Sequence, residues 1–197
     1  MCQFIESIKL FDGQFYRLPF HQARVDSIFK RFFPTSNGFQ LVQILGDKNF
    51  PEKGLFKCRI VFNQSIQLVD FVPYTKRKIC TLKLVETQIE PTNYKSENRE
   101  QITAAFAQKG NCDDILMLNN GFLSDASYYN TALWNGENWY TPHVPIIYGT
   151  QRAYLLQIGK IVEREIRKED ISSYKTIRLF NAMVEFGEIE LDVKDIL

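Results

Sequence analysis

The amino-terminal part of the chain, up to Pro34, constrains the fold most. Apolar and polar residues alternate from Phe4 to Phe11, which is typical of a strand. Asp12-Gly13 favours a tight hairpin turn, so Gln14 to Leu18 is predicted to return as the partner strand. His21 to Phe33 has apolar residues at helical spacing, and Pro34 ends the pattern. These apolar residues are Val25, Ile28, Phe29 and Phe32. The pattern predicts an amphipathic helix packed on an antiparallel hairpin, and therefore an α+β fold.

A second hairpin and a break in the apolar pattern predict two lobes. Leu55 to Phe62 and Ser65 to Val72 resemble paired strands, and Pro73 to Arg77 then interrupts the pattern as a linker would. The predicted parts are a small α/β lobe of residues 1–73, a linker of residues 74–77 and a larger lobe of residues 78–197. Two lobes would leave a cleft between them, which is a usual place for a cofactor.

The remainder of the chain also mixes strands and helices. Strands are predicted at Ile79 to Val85, Ile115 to Leu118 and Tyr128 to Leu133, and helices at Glu97 to Gln108 and Gln151 to Glu163. No repeat or low-complexity tract interrupts this order. The larger lobe is therefore also expected to be mixed.

Composition excludes several classes of partner. The chain has 24 basic and 23 acidic side chains, and this balance gives no electrostatic reason to expect a nucleic acid or an anionic membrane as partner. No apolar run approaches the roughly 20 residues that cross a bilayer. Cys2, Cys58, Cys80 and Cys112 form no Cys-x-x-Cys pair, so no metal cluster is expected. The amino terminus has no basic stretch followed by an apolar run, so export is not expected either. A cytoplasmic protein with reduced thiols is the plain expectation.

Several short motifs occur in a characteristic order. They are Ile5 to Gly13, Leu18-x-x-His21-x-x-Arg24, Tyr94 to Glu100, Asp113 to Leu118, Gly121 to Asn130, Tyr140 to Pro142 and Gly149 to Arg152. Their order and spacing resemble the class IV aminotransferase family, from about Phe4 to Met183. The resemblance implies the two-lobed fold type IV architecture with pyridoxal 5'-phosphate as cofactor. Among the members of the family, the aminodeoxychorismate lyases are the most similar.

The resemblance implies catalytic roles for Lys95 and Asp125. A lone lysine is usually a solvated surface residue, and Lys95 gains its meaning from the Lys-x-x-Asn-Arg pattern that it forms with Asn98 and Arg99. In the family, this lysine holds the cofactor as a Schiff base and moves the Cα proton. Asp125 stands where the family has a glutamate facing the ring nitrogen, although a turn residue is its ordinary reading.

Further cofactor contacts are implied by the same resemblance. Arg24 and the Gly149-Thr150 turn match the phosphate-binding groups, although Arg24 could line a helix surface and the turn could be a simple helix cap. Asn181 resembles a loop residue near the phosphate. Arg59 resembles a residue that binds the substrate carboxylate, although it could equally be a strand arginine on the solvent face. His21 is expected to form structural hydrogen bonds.

The implied activity is that of a pyridoxal-phosphate enzyme acting on a small-molecule amine, with a homodimer as its expected assembly. A lyase would eliminate pyruvate from 4-amino-4-deoxychorismate and leave 4-aminobenzoate, a folate precursor. An amino-acid aminotransferase is the alternative within the family. A cofactor-binding protein with impaired catalysis is a third reading, because the amino-terminal lobe is short and the usual glutamate is replaced by Asp125.

Overall fold

A computed structural model describes residues 3–197, beginning with the predicted hairpin. Strand β1, Phe4–Phe11, has the predicted bounds, and it pairs with the short antiparallel strand β2, Gln14–Phe15. Asp12 and Gly13 connect the strands with φ angles of 46° and 77°. Two successive left-handed residues are typical of a hairpin turn that follows the twist of the strands. The predicted hairpin is therefore confirmed, with a shorter second strand.

Helix α1, Leu18–Phe32, follows at once and covers this hairpin. It begins before the predicted His21 because Pro19 lies in its first turn, where a missing N–H costs nothing. Its buried residues are His21, Val25, Ile28 and Phe29. This buried stripe is the amphipathic face that the sequence predicts, and a short helix, α2, follows at Leu41–Gly46.

Strands β3, Leu55–Phe62, and β4, Ile66–Pro73, complete an antiparallel sheet in the order β2-β1-β3-β4. Aromatic rings fill the core between this sheet and α1, and Phe4 and Phe62 lie with their ring centroids 5.8 Å apart. The apolar contact across these elements is the main force that holds them together.

The described residues pack as two compact units. The first extends to Lys76 and includes the segment Asn93–Asn98, whereas the second comprises Arg77–Thr92 and Arg99–Leu197. The segment joins the first unit through its backbone, since the amide of Ile5 donates to the carbonyl of Lys95 at 2.8 Å.

The second unit contains a three-stranded sheet in the order β5-β6-β7. The strands are β5, Leu82–Thr87; β6, Asp114–Asn119; and β7, Phe122–Ala126. Helix α3 begins at Glu100 and not at the predicted Glu97, because Ser96 forms a β-bridge with Phe4 and the amide of Glu97 donates to the carbonyl of Gln3. Residues paired in a β-bridge cannot adopt a helical backbone, so these tertiary contacts move the start of the helix to Glu100.

A five-stranded sheet in the order β10-β9-β8-β11-β12 forms the remainder of the second unit. The strands are β8, Asn130–Trp134; β9, Trp139–Pro142; β10, Val162–Arg164; β11, Thr176–Phe180; and β12, Ile189–Asp192. Helix α4, Thr150–Gln157, ends before Gly159, whose φ of 67° suits a helix terminus. The predicted extension of this helix to Glu163 is wrong, because the chain there pairs with β9 as β10. None of the helices among residues 3–197 has the length and apolar character to cross a membrane.

Candidate active site

Glu6 is a fully buried carboxylate in the first unit. His21 and Arg24 lie on one face of α1 because they are three positions apart along the helix. His21 Nδ1 donates to Glu6 at 2.5 Å, and Arg24 donates through Nε and Nη2 at 2.7 and 2.6 Å. Burial opposes ionisation of Glu6, but the charge of Arg24 and the hydrogen bond from His21 outweigh it and lower the pKa of Glu6 to about 2. Burial lowers the pKa of His21 as well. His21 thus has the structural role that the sequence indicates.

Arg24, the predicted phosphate ligand, is therefore already paired with a carboxylate. The Glu6 charge offsets its positive charge, while its Nη1 group takes no part in the two bonds to Glu6. Any contact with a phosphate would use the N–H groups that remain on Nη1 and Nη2. The phosphate role of Arg24 stays a prediction.

Lys95 lies on the opposite face of the same sheet. Its Nζ donates to Ser7 Oγ at 3.0 Å, and Ser7 follows Glu6 in β1, where consecutive side chains point to opposite faces. Arg59 in β3 is the register partner of Ser7 and shares its face. Arg59 Nη2 also donates to Glu97 Oε1 at 2.6 Å. The first unit thus brings Lys95 and Arg59 to one face of the sheet and leaves Arg24 on the other.

Asp125 is a buried carboxyl group at the end of β7 in the second unit, with 4% of its surface exposed. Its Oδ1 accepts from Asn130 Nδ2 at 2.8 Å, and its Oδ2 accepts from the amide of Ile147 at 2.9 Å. Burial raises the pKa of Asp125 to about 7, while these hydrogen bonds and the charge of Arg152 act in the opposite direction. A positive charge beside Asp125 would therefore stabilise its ionised form, which burial disfavours.

The predicted phosphate turn lies close to Asp125 in the same unit. Asn130 Nδ2 also donates to the carbonyl of Ile147 at 2.8 Å, two residues before Gly149. Helix α4 begins at Thr150, directly after Gly149. A Cβ atom added to Gly149 would collide with Asn130 Oδ1, so glycine is required for this close approach. The amides at the start of α4 are the kind of group that binds a phosphate.

Asn181 holds the loop between β7 and β8. Its Nδ2 donates to the carbonyl of Tyr128 at 2.9 Å, while its Oδ1 accepts from the amides of Met183 and Val184. Arg99 donates to the neighbouring carbonyl of Ser127 at 2.9 Å. The side chain of Asn181 is thus engaged by the backbone, and its role near a phosphate stays a prediction.

Sequence reasoning missed Ser7, Asn130 and the amide of Ile147. Ser7 and Asn130 fall inside the motifs, but nothing in the motifs shows what their side chains contact. Asn130 is the last residue of the Gly121 to Asn130 motif, and this position was the available signal.

The chemistry of these groups fits pyridoxal phosphate. Among the described residues, Asp125 forms no ion pair, so burial of its carboxyl is not offset by a bonded cation. A protonated ring nitrogen would supply that cation, and the amides at Gly149-Thr150 would suit the phosphate. Lys95 provides a primary amine whose position is set by Ser7.

Comparison with known proteins places these features in a family. The sequence model for amino-transferase class IV matches residues 3–190. An uncharacterised protein of Haemophilus influenzae is 32% identical over 188 residues, which are 93% of this chain and 98% of that protein. A protein from Haemophilus somnus, provisionally named a 4-amino-4-deoxychorismate lyase, has a crystal structure with a TM-score of 0.86 and 31% identity, covering 93% of this chain and 97% of that one.

A more distant structure shares the fold alone. An aminotransferase from Brucella abortus, bound to pyridoxal phosphate, has a TM-score of 0.74 at 14% identity and covers 93% of this chain and 79% of that one. The predicted α+β class with fold type IV architecture is confirmed, as is the family resemblance.

Proposed function

This chain belongs to the class IV aminotransferase family, which is a family of enzymes, and we propose that it is a pyridoxal-phosphate-dependent lyase. Its proposed substrate is 4-amino-4-deoxychorismate, which loses pyruvate to leave 4-aminobenzoate. The similarity to the Haemophilus somnus protein supports this choice of reaction. The observation that carries the proposal is the Lys95 amine, which is partly buried and held by Ser7 at 3.0 Å instead of extending into solvent.

The proposal gives each candidate site residue a contact with the cofactor. Lys95 would hold the cofactor covalently, Asp125 would face the ring nitrogen, and the amides of Gly149 and Thr150 would bind the phosphate. Arg24 and Asn181 are the further phosphate contacts of this proposal. When bound, the cofactor accepts the electron pair left on the substrate when its Cα proton departs.

The chain's own residues would move the proton and orient the substrate. Once the substrate amine has displaced it from the cofactor, Lys95 would take the proton from the carbon that bears the amine, and Ser7 would orient its Nζ through the hydroxyl contact. Asp125, when ionised, would keep the ring nitrogen protonated. Arg59 would bind a substrate carboxylate and would share its guanidinium with Glu97, which it already contacts.

An amino-acid aminotransferase is the second candidate, since the Brucella abortus structure with the same fold is an aminotransferase. Both reactions begin with the same proton removal, so they differ only in their later steps. Formation of 4-aminobenzoate and pyruvate would support the lyase. Transfer of the amine to a 2-oxo acid, without pyruvate release, would support the aminotransferase. A protein that binds the cofactor and turns over neither substrate would be the impaired form.

Borohydride reduction tests the role of Lys95. Protein loaded with pyridoxal phosphate should retain the label on the peptide that contains Lys95 after reduction and digestion. Lys95→Ala should abolish both labelling and turnover while the unfolding transition changes little, because a partly buried polar side chain contributes little packing. Lys53→Ala, at an exposed lysine of the same unit, is the matched control and should label and turn over normally. A label on another lysine would contradict the assignment.

The proposal also includes a homodimer, a cytoplasmic location and a role in making a folate precursor. Sedimentation of the purified protein tests the first of these, and a growth requirement for 4-aminobenzoate in cells that lack the protein tests the last.

A further inference from the structure

Asn130 uses its whole side chain to connect two parts of the second unit. Its Nδ2 donates one hydrogen to Asp125 Oδ1 and the other to the carbonyl of Ile147, both at 2.8 Å. Its Oδ1 lies so close to Gly149 that a Cβ atom on that residue would collide with it. Asn130 is 6% exposed, so water offers little replacement for these contacts.

The hydrogen bonds connect Asp125, Asn130 and Ile147 in a ring. The amide of Ile147 donates to Asp125 Oδ2 at 2.9 Å, while its carbonyl accepts from Asn130. Asp125 therefore cannot shift relative to the turn at Ile147 without breaking at least one of these hydrogen bonds, which are buried or partly buried. Such a bond is costly to lose when the freed group stays buried.

We propose that Asn130 is a positioning residue that holds the Asp125 carboxyl at a set distance from the turn before α4. Its purpose is to place the group that faces the ring nitrogen and the group that binds the phosphate as one rigid piece. The inference rests on the proposed function, because it assumes that both groups contact pyridoxal phosphate.

The electrostatic surroundings of Asp125 support a measurable consequence. The hydrogen bond from Asn130 favours the ionised form of Asp125, and so do the amides of Ile146 and Ile147 and the charge of Arg152. Arg152 is itself paired with Glu163 at 2.7 Å, which weakens its effect. Loss of the Asn130 bond should therefore raise the pKa of Asp125 above its value of about 7.

The test compares Asn130→Ala and Asn130→Asp with the parent protein. In cofactor-free protein, the Asp125 carboxyl is titrated by carbon NMR, and its signal is identified by its absence in Asp125→Asn. In the loaded enzyme, the acid limb of kcat is measured against pH. Asn130→Ala should move both to higher pH by about one unit or more. Asn130→Asp should move them further, because a second carboxyl opposes ionisation of the first.

Thr131→Val is the matched control. Thr131 follows Asn130 in β8, and its Oγ1 donates to the carbonyl of Ser124 in β7 at 2.9 Å. It forms none of the hydrogen bonds to the Asp125 carboxyl. Thr131→Val should lower the free energy of unfolding without changing the pKa of Asp125 or the acid limb of kcat. Asn130→Ala should also recover most of its turnover at high pH, where Asp125 is ionised again, which a merely structural defect would not allow.

An unmoved Asp125 titration in Asn130→Ala, or a loss of turnover equal at every pH, would overturn the inference and leave the proposed function standing. Failure of the proposed function is visible separately in the parent protein, as no uptake of pyridoxal phosphate or as a label away from Lys95. That result would remove the inference as well.

Discussion

Glu6 is a buried charge that the first unit tolerates because two side chains of α1 satisfy it. Two donors of Arg24 and the ring of His21 bind its oxygens, and their spacing places both on one face of the helix. Removing one member of such a set leaves another buried and unsatisfied, which costs more than the pair itself contributes.

The lowered pKa of Glu6 makes the free energy of unfolding depend on pH. The pKa of Glu6 is lowered from 4.5 to about 2, so its contribution is fully present above pH 4.5 and is lost as the pH falls from 4.5 to 2. The shift corresponds to roughly 3 kcal/mol. Chemical denaturation of Glu6→Gln should show a lower free energy of unfolding at neutral pH and a flatter profile between these pH values.

Glu52→Gln is the control for this measurement, because Glu52 is exposed in the same unit. Its profile should match that of the parent. If Glu6→Gln kept the parent's acid dependence, the titration of Glu6 would not be its source.

At the scale of elements, the start of α4 depends on the side chain of a neighbouring strand. A methyl group on Gly149 would meet Asn130 Oδ1, so Gly149→Ala should cost about 1–3 kcal/mol of stability and weaken cofactor binding. In an Asn130→Ala background the same change should cost much less, because the colliding atom is absent. A double-mutant cycle of unfolding free energies measures the difference.

Gly46→Ala is the matched glycine control, since nothing lies within 4 Å of a Cβ at this helical position. It should be neutral or slightly stabilising, because alanine favours helices over glycine. Equal costs for Gly149→Ala in both backgrounds would show that the contact with Asn130 does not restrict this turn.

At the scale of the whole molecule, the chain returns to the first unit at Asn93–Asn98 and brings Lys95 with it. Tyr94 anchors this return, because its ring lies 5.5 Å from Phe4 and 5.1 Å from Phe32, measured between centroids. Edge-to-face contacts of this kind add to the apolar area that the ring buries.

Tyr94→Ala should therefore destabilise the protein by about 2–4 kcal/mol and slow the attachment of pyridoxal phosphate to Lys95, because the segment loses its anchor. Tyr94→Phe keeps the ring contacts with Phe4 and Phe32 and should lose less stability than Tyr94→Ala. Attachment can be followed by absorbance and stability by denaturation. Normal attachment in Tyr94→Ala would mean that the backbone bonds of the segment suffice.

The sequence by itself determined the local elements of the first unit. The bounds of β1, the Asp12-Gly13 turn and the buried face of α1 follow from residue periodicity and turn chemistry, which act over a few neighbouring residues. The family motifs also identified the lysine and the carboxyl group of the proposed site. Their catalytic roles remain predictions, because they depend on a cofactor.

Only the tertiary structure decided which side chains meet. Three sets of hydrogen bonds join residues that are distant along the chain or lie in different elements. They connect Arg24 with Glu6, Lys95 with Ser7, and Asn130 with Asp125. The start of α3 and the end of α4 also depended on pairing with distant strands. Such contacts depend on how elements pack, and local periodicity holds no information about that.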